Sequence, residues 1–174
     1  MKPGGGKAKG AEFERHVCKR LSLWMSDGER EDLFWRSAMS GGRATLQNRK
    51  GVKNKTQEGD ITSLDPLGHL LTDEYVIECK FLKTLDAMSF LLRGSGGMGD
   101  AWTVLKTASK NGKGCLLVAK ENRRVPVVLI QPPLWNDNAT IFFQTHARAE
   151  FTFSHGAFFF LFDDLLLHKP KSFL

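Results

Sequence analysis

The sequence predicts an α/β protein with a central mixed β-sheet of about five strands flanked by helices. Three observations carry this expectation. Phe13, Val17, Leu21 and Trp24 recur at helical spacing near the start of the chain. Short runs rich in β-branched and apolar residues, "YVIECKF", "GCLLVAK" and "VPVVLIQ", read as strands. A second helical stretch, with Ala101, Leu105 and Ala108 on one face, lies among those strands. A chain of 174 residues is long enough to bury one hydrophobic core. Its 41% hydrophobic and 25% charged residues are ordinary for a soluble globular protein. No apolar run is long enough to span a membrane, and the start "MKPGGGKAKG" has no apolar stretch behind it, so it does not read as a signal peptide. Three cysteines, Cys18, Cys79 and Cys115, are odd in number and lack metal-ligand spacing. They read as small buried residues of a cytoplasmic, intracellular protein.

Taken in order, residues 1–10 read as a flexible basic tail and residues 11–174 as a single domain. A helix is expected from Ala11 to about Met25. On it Glu12 shares a face with Arg15, His16 and Lys19 and should be solvated. Glu14 instead has Val17, Cys18 and Leu21 at i+3, i+4 and i+7, at the edge of the core-facing stripe, where a carboxylate is costly unless paired or bound. After the polar turn "SDGERED", "LFWRSAMSGG" reads as a short strand entering a glycine-rich bend. "GDITSLD", a turn at "PLGH" and "LLTDEYVIECKF" suggest an antiparallel hairpin. "RGSGGMG" (93–99) reads as a flexible connection, since it lacks the Lys-Ser/Thr ending of a phosphate-binding loop. Asp100 is placed to cap a helix ending near Gly112. "TIFFQ", "EFTFS" and "AFFFLF" read as further strands, with a short helix from about Asp163. Trp24, Trp35 and the C-terminal phenylalanines read as core rather than base-stacking platforms. Met88, Phe90, Leu91, Leu92 and Trp102 form a candidate dimer surface, though core is the more common use of such residues.

Charge is unevenly spread. Residues 1–59 hold 13 Lys/Arg against 7 Asp/Glu, a surplus of 6, while residues 60–174 hold 12 of each. The whole net charge of +6 therefore sits in the first third, which suggests a polyanionic partner, most often nucleic acid. Within it, Arg43, Arg49, Lys50, Lys53 and Lys55 face one acid, Glu58, over a segment of little periodicity. That segment is either a mobile solvated loop or a DNA-contacting loop that orders on binding.

In "YVIECKF", Glu78 and Lys80 share one strand face while Ile77, Cys79 and Phe81 take the other. Alone this is an idle surface pair. Asp60 at the start of the first hairpin arm faces Glu78 near the end of the second, however, and two opposed carboxylates repel unless a divalent cation lies between them. Oxygen-only ligation suits Mg²⁺, with Mn²⁺ able to substitute. Lys80 would orient an attacking water or stabilise transition-state charge, and Glu14 would add a ligand, directly or through water. The histidines share no ligand spacing, and Ser37 and Ser40 lack a His/Asp partner for nucleophilic chemistry.

Asp60 followed by Glu78-Cys79-Lys80 resembles the PD-(D/E)xK nuclease superfamily, with "EGD" where that superfamily often has Pro-Asp. "KGAEFERHVCKRL" (9–21) and "WRSAMSGG" (35–42) resemble the first helix and the Arg-Ser-rich strand of the archaeal-type Holliday-junction resolvases. The resemblance covers roughly residues 9–81. It implies a restriction-endonuclease-like fold with Glu14, Asp60, Glu78 and Lys80 catalytic, and with the Cys79 main-chain carbonyl a metal ligand. It also implies that Arg15, Arg36, Ser37 and Ser40 contact or position the scissile phosphate. The expectation is a Mg²⁺-dependent endonuclease, acting as a homodimer on four-way DNA junctions. Two rivals stand beside it: a restriction-like or phage DNA-processing endonuclease, which makes a phage-encoded source compatible, and a non-cleaving DNA-binding module of the same fold.

Overall fold

The computed structural model describes residues 5–37, 59–109, 111–147 and 157–174. Helix α1 spans Gly5–Met25. It buries Phe13, Val17, Leu21 and Trp24, the stripe that its spacing predicts. Residues 5–10, expected within a flexible tail, are its first turns. The helix leads into β1 (Phe34–Arg36), which pairs antiparallel with β2 (Ile61–Ser63) as a separate two-stranded ribbon. Buried Ser22 fixes this passage. Its Oγ donates to the Cys18 carbonyl at 2.8 Å and accepts from the backbone N–H groups of Leu33 and Phe34, both at 3.1 Å. Ser22→Ala strands those two buried donors. The expected loss is about 2–4 kcal/mol of unfolding free energy in a urea titration, whereas Ser95→Ala, at an exposed helix N-cap whose side chain makes no cap hydrogen bond, should be near neutral.

Between β2 and β3 (Tyr75–Leu82) runs a helix, α2 (Pro66–Thr72), in place of the expected turn. The Asp65-Pro66 pair that reads as a turn start serves here as N-cap and first helical residue: the Asp65 side chain accepts from the Leu67 N–H at 2.9 Å, and Pro66 needs no donor there. The expected hairpin is thus replaced, and β2 pairs with β1 instead of β3.

Helices α3 (Ala87–Arg93) and α4 (Gly96–Ala108) cross from β3 to β4 (Gly114–Glu121), which lies parallel beside it. The glycine-rich stretch 93–99 is therefore no open connection but the end of one helix and the start of the next. Ser95, not Asp100, holds the N-cap position of α4. Strands β5 (Val127–Gln131) and β6 (Phe158–Leu161) extend the sheet antiparallel, in the order β3-β4-β5-β6. "TIFFQ" is not a strand. It lies in α5 (Asp137–His146), whose N-cap Asn136 accepts from the Ala139 N–H at 2.9 Å and whose Ala139 and Phe143 meet the core four residues apart. The expected "EFTFS" strand lies outside the described residues. Helix α6 (Phe162–Leu165) begins close to the expected Asp163.

The result is α/β, a four-stranded mixed sheet flanked by helices. One face packs Ile77, Cys79, Leu116 and Val118 against α1, α5 and the C-terminal residues. There Trp24 stacks on Phe173 with ring centroids 5.7 Å apart, and its indole N–H donates to the His168 carbonyl at 2.7 Å. The other face packs Val76, Leu117 and Leu129 against α3 and α4. Phe90 and Trp102 belong to that core, which removes them from any dimer surface, while Met88 and Leu92 are exposed. Trp35, expected in the core, is 55% exposed. No helix among the described residues is long and apolar enough to cross a membrane.

Candidate active site

Strand β3 lies at one edge of the four-stranded sheet, and the residues leading into β2 run along its free side. Asp60 is fastened there twice. Its N–H donates to the Ile77 carbonyl at 2.8 Å, and its Oδ2 accepts from the Cys79 N–H at 3.0 Å. Gly59 permits this approach. Its φ is +82°, and a Cβ would stand 2.4 Å from the Ile77 carbonyl oxygen. Neither requirement is visible in "EGD" read as sequence.

Asp60 and Glu78 therefore meet as expected, by a different route: a docked loop residue rather than a hairpin ladder. Alternation along β3 puts Glu78 and Lys80 on the face of Val76 and Leu82, with Ile77 and Cys79 turned toward α1. The Lys80 ammonium is bonded to Glu78 Oε1. Burial first, then the neighbouring Glu78 carboxylate, push the Asp60 carboxyl up to about 6. Burial works to lower the Lys80 pKa, but its hydrogen bond to Glu78 and the charges of Glu78 and Asp60 outweigh this and raise it, so Lys80 stays cationic at neutral pH. A cation beside two carboxylates can stabilise developing negative charge and does not act as a base.

Glu14 lies apart. It is held by Arg36, whose Nε reaches Glu14 Oε2 at 2.5 Å. Cys18 and Cys79 sit among these acids: the Cys79 thiol is pushed well above its usual value by burial and then by Asp60, Cys18, Glu14 and Glu78. Among the described residues no group of three or more His, Cys, Asp or Glu side chains is arranged to hold a metal ion. Ser37 is buried and donates its N–H to the Asp60 carbonyl at 2.7 Å. Arg15 is exposed on α1, and nearby Lys9 lies 5.9 Å from the ring of Phe81, the residue after Lys80. Ser40, Arg43, Arg49, Lys50, Lys53 and Lys55 lie outside the described residues.

The donor set fits a hard divalent cation. Asp60 and Glu78 offer carboxylate oxygens whose mutual repulsion such an ion would relieve. The N–H of Cys79 and the carbonyl of Ile77 both point to the Asp60 side of β3. Because the N–H and C=O of one residue in a strand share a side, the Cys79 carbonyl faces that edge too. The Cys79 side chain is turned into the core beside α1, away from the face of Glu78 and Lys80, so its thiol is not part of the donor set.

A family model described as "Phage putative PDDEXK endonuclease" matches residues 5–173. Comparisons with curated proteins and with solved structures return no match. The family match extends well past residues 9–81 and takes in the C-terminal half. With an α/β sheet, an acid docked at its edge and an Glu-x-Lys triplet beside that acid, the chain belongs to this family of PD-(D/E)xK endonucleases.

Proposed function

We propose that the chain cleaves DNA with a divalent metal, Mg²⁺ first and Mn²⁺ in its place, at a site made by Asp60, Glu78 and Lys80. The observation that carries this is Asp60, half-buried beside Glu78 with its carboxyl raised to about 6 and fastened to β3 by two hydrogen bonds. Asp60, Glu78 and the Cys79 carbonyl would hold the metal, which when bound supplies an activated water and charge neutralisation at the phosphate. Asp60 is oriented by the Cys79 N–H. Glu78 is oriented by Lys80, whose second role is to meet the negative charge that grows on the phosphoryl oxygens. Arg36 holds Glu14 in an ion pair, and Glu14 would supply a further metal ligand through water while Arg36 would contact the phosphate. Arg15 and Ser37 position the strand, together with Ser40 and the basic residues Arg43, Arg49, Lys50, Lys53 and Lys55.

The substrate we infer is branched DNA, a four-way junction first, cut by a homodimer with one strand per protomer. Support comes from the resemblance of residues 9–21 and 35–42 to junction resolvases. The second reading, a phage DNA-processing endonuclease with another preference, is favoured by the family match itself. A gel with Mg²⁺ that compares a four-way junction with linear duplex of the same sequence separates them. Junction cutting in paired strands is expected, and equal cutting of both substrates ends the resolvase reading. Binding should weaken steeply between low and physiological salt, as phosphate neutralisation by the basic first third releases counterions.

A further inference from the structure

Two of the tryptophans are exposed, Trp35 and Trp135, and only one of them is accounted for. Trp135 donates its indole N–H to Glu74 at 2.8 Å and covers Gly112. The Trp35 indole has no hydrogen-bond or ring partner among the described residues, although an indole in water is an unusual use of so large an apolar side chain.

Its position is specific. The β1–β2 register sets Trp35 opposite Thr62, and the ladder runs one step further through the Ser37 N–H to the Asp60 carbonyl. Thr62 shares the Trp35 face of this ribbon, and Asp60 lies just before β2, its carbonyl accepting from Ser37 while its N–H and side chain turn to β3. Leu64, just after β2, is 85% exposed. Trp35 is thus a diagonal neighbour of Asp60, about 7–8 Å away between backbones. DNA rises about 3.4 Å per nucleotide along a strand. A phosphate held at Asp60 therefore brings a base one or two nucleotides away over the indole. A paired base shows only its edges, because its faces are stacked. An indole meets a base face only where the base is unpaired or turned out.

We propose that Trp35 stacks on an unpaired base flanking the scissile phosphate and so selects DNA that carries bases out of the duplex stack. This rests on the reading of Asp60 as the reaction site. Lys80 and Lys9, on the neighbouring part of β3 and α1, supply cations for the flanking phosphates.

The test is binding in Ca²⁺, without cleavage, to two DNAs of one sequence: a fully paired duplex and the same duplex with a short unpaired bubble. Trp35→Ala should weaken bubble binding about tenfold and change duplex binding less than about twofold, while Trp35→Phe keeps most of the bubble preference. Equal weakening on both DNAs, no weakening on either, or no DNA binding by the unaltered protein overturns the proposal. So does a change in solution mass of Trp35→Ala by sedimentation, which would make the indole a contact between copies of the chain. The two readings fail separately. An Asp60→Ala variant that still cleaves removes the site and leaves the stacking result standing, whereas an inactive Asp60→Ala variant beside a Trp35→Ala variant indifferent to the bubble removes the stacking alone.

Discussion

Asp60→Asn is expected to reduce Mg²⁺-dependent cleavage by at least about a thousandfold and, without metal at pH 7.5, to make the protein more stable than the unaltered chain. Loss of cleavage follows from loss of the ligand charge. The gain in stability follows from linkage. Burial and Glu78 raise the folded Asp60 carboxyl from 3.8 to about 6, so between these values the folded state holds a proton that the unfolded state releases. Stability of the metal-free protein therefore falls as pH rises through that window, and the full penalty is present above it. The shift corresponds to at most about 3 kcal/mol. Asparagine removes the charge, keeps an oxygen for the Cys79 N–H and escapes the penalty. Thermal scans in chelator at pH 7.5 and pH 4 provide the check. The variant should melt several degrees higher at pH 7.5 and the difference should shrink at pH 4, while Mg²⁺ should raise the melting temperature of the unaltered chain alone. Equal melting temperatures at both pH values, or cleavage by the variant, would remove Asp60 from the site. Glu78→Ala should likewise abolish cleavage yet retain DNA binding in Ca²⁺.

The second large effect is expected at Gly59, which carries no functional group. Gly59→Ala puts a Cβ 2.4 Å from the Ile77 carbonyl oxygen on a backbone with φ +82°, so both space and conformation oppose it. Relief must come by moving Asp60 off β3, which breaks the two hydrogen bonds that aim its carboxylate. A displacement of about 1 Å at a reacting group costs on the order of a hundredfold in rate, and the strain costs about 2–4 kcal/mol of stability. Gly28 provides the control. Its φ is +94°, with nothing within 4 Å of an added Cβ. Gly28→Ala should cost about 1 kcal/mol and leave cleavage as it was. Full cleavage by Gly59→Ala, measured on protein with an unchanged circular dichroism spectrum, would show that the close approach does not set the site.

How the sequence conveys these features differs from residue to residue. The α1 stripe is legible because helical periodicity in Phe13, Val17 and Leu21 is a property of neighbours, and Glu14 stands out against it for the same reason. The Asp60–Glu78 meeting was also within reach, since two acids before and inside an apolar strand invite a shared ion. The path between them was not. Asp65-Pro66 fits a turn and a helix start equally well, and only Leu67 and Leu71 packing inward decides for the helix. "TIFFQ" has strand-forming residues but is governed by Asn136 ahead of it. Trp35 defeats composition altogether: a tryptophan between Phe34 and Arg36 looks like core until the ribbon turns that face outward. Gly59 and Ser22 act through contacts with distant strands, about which local sequence says nothing.

The two bonds from Asp60 to β3 carry a consequence for how the sheet ends. One comes from the backbone and the other from a side chain, and together they occupy the positions where a further strand would form successive rungs. The carboxylate thus stands in for a backbone carbonyl and closes an edge that would otherwise invite another chain to pair. Protection against edge-to-edge association and the aiming of the acid become one requirement. A substitution that frees Asp60 from β3 should leave behind both an idle enzyme and a sticky one.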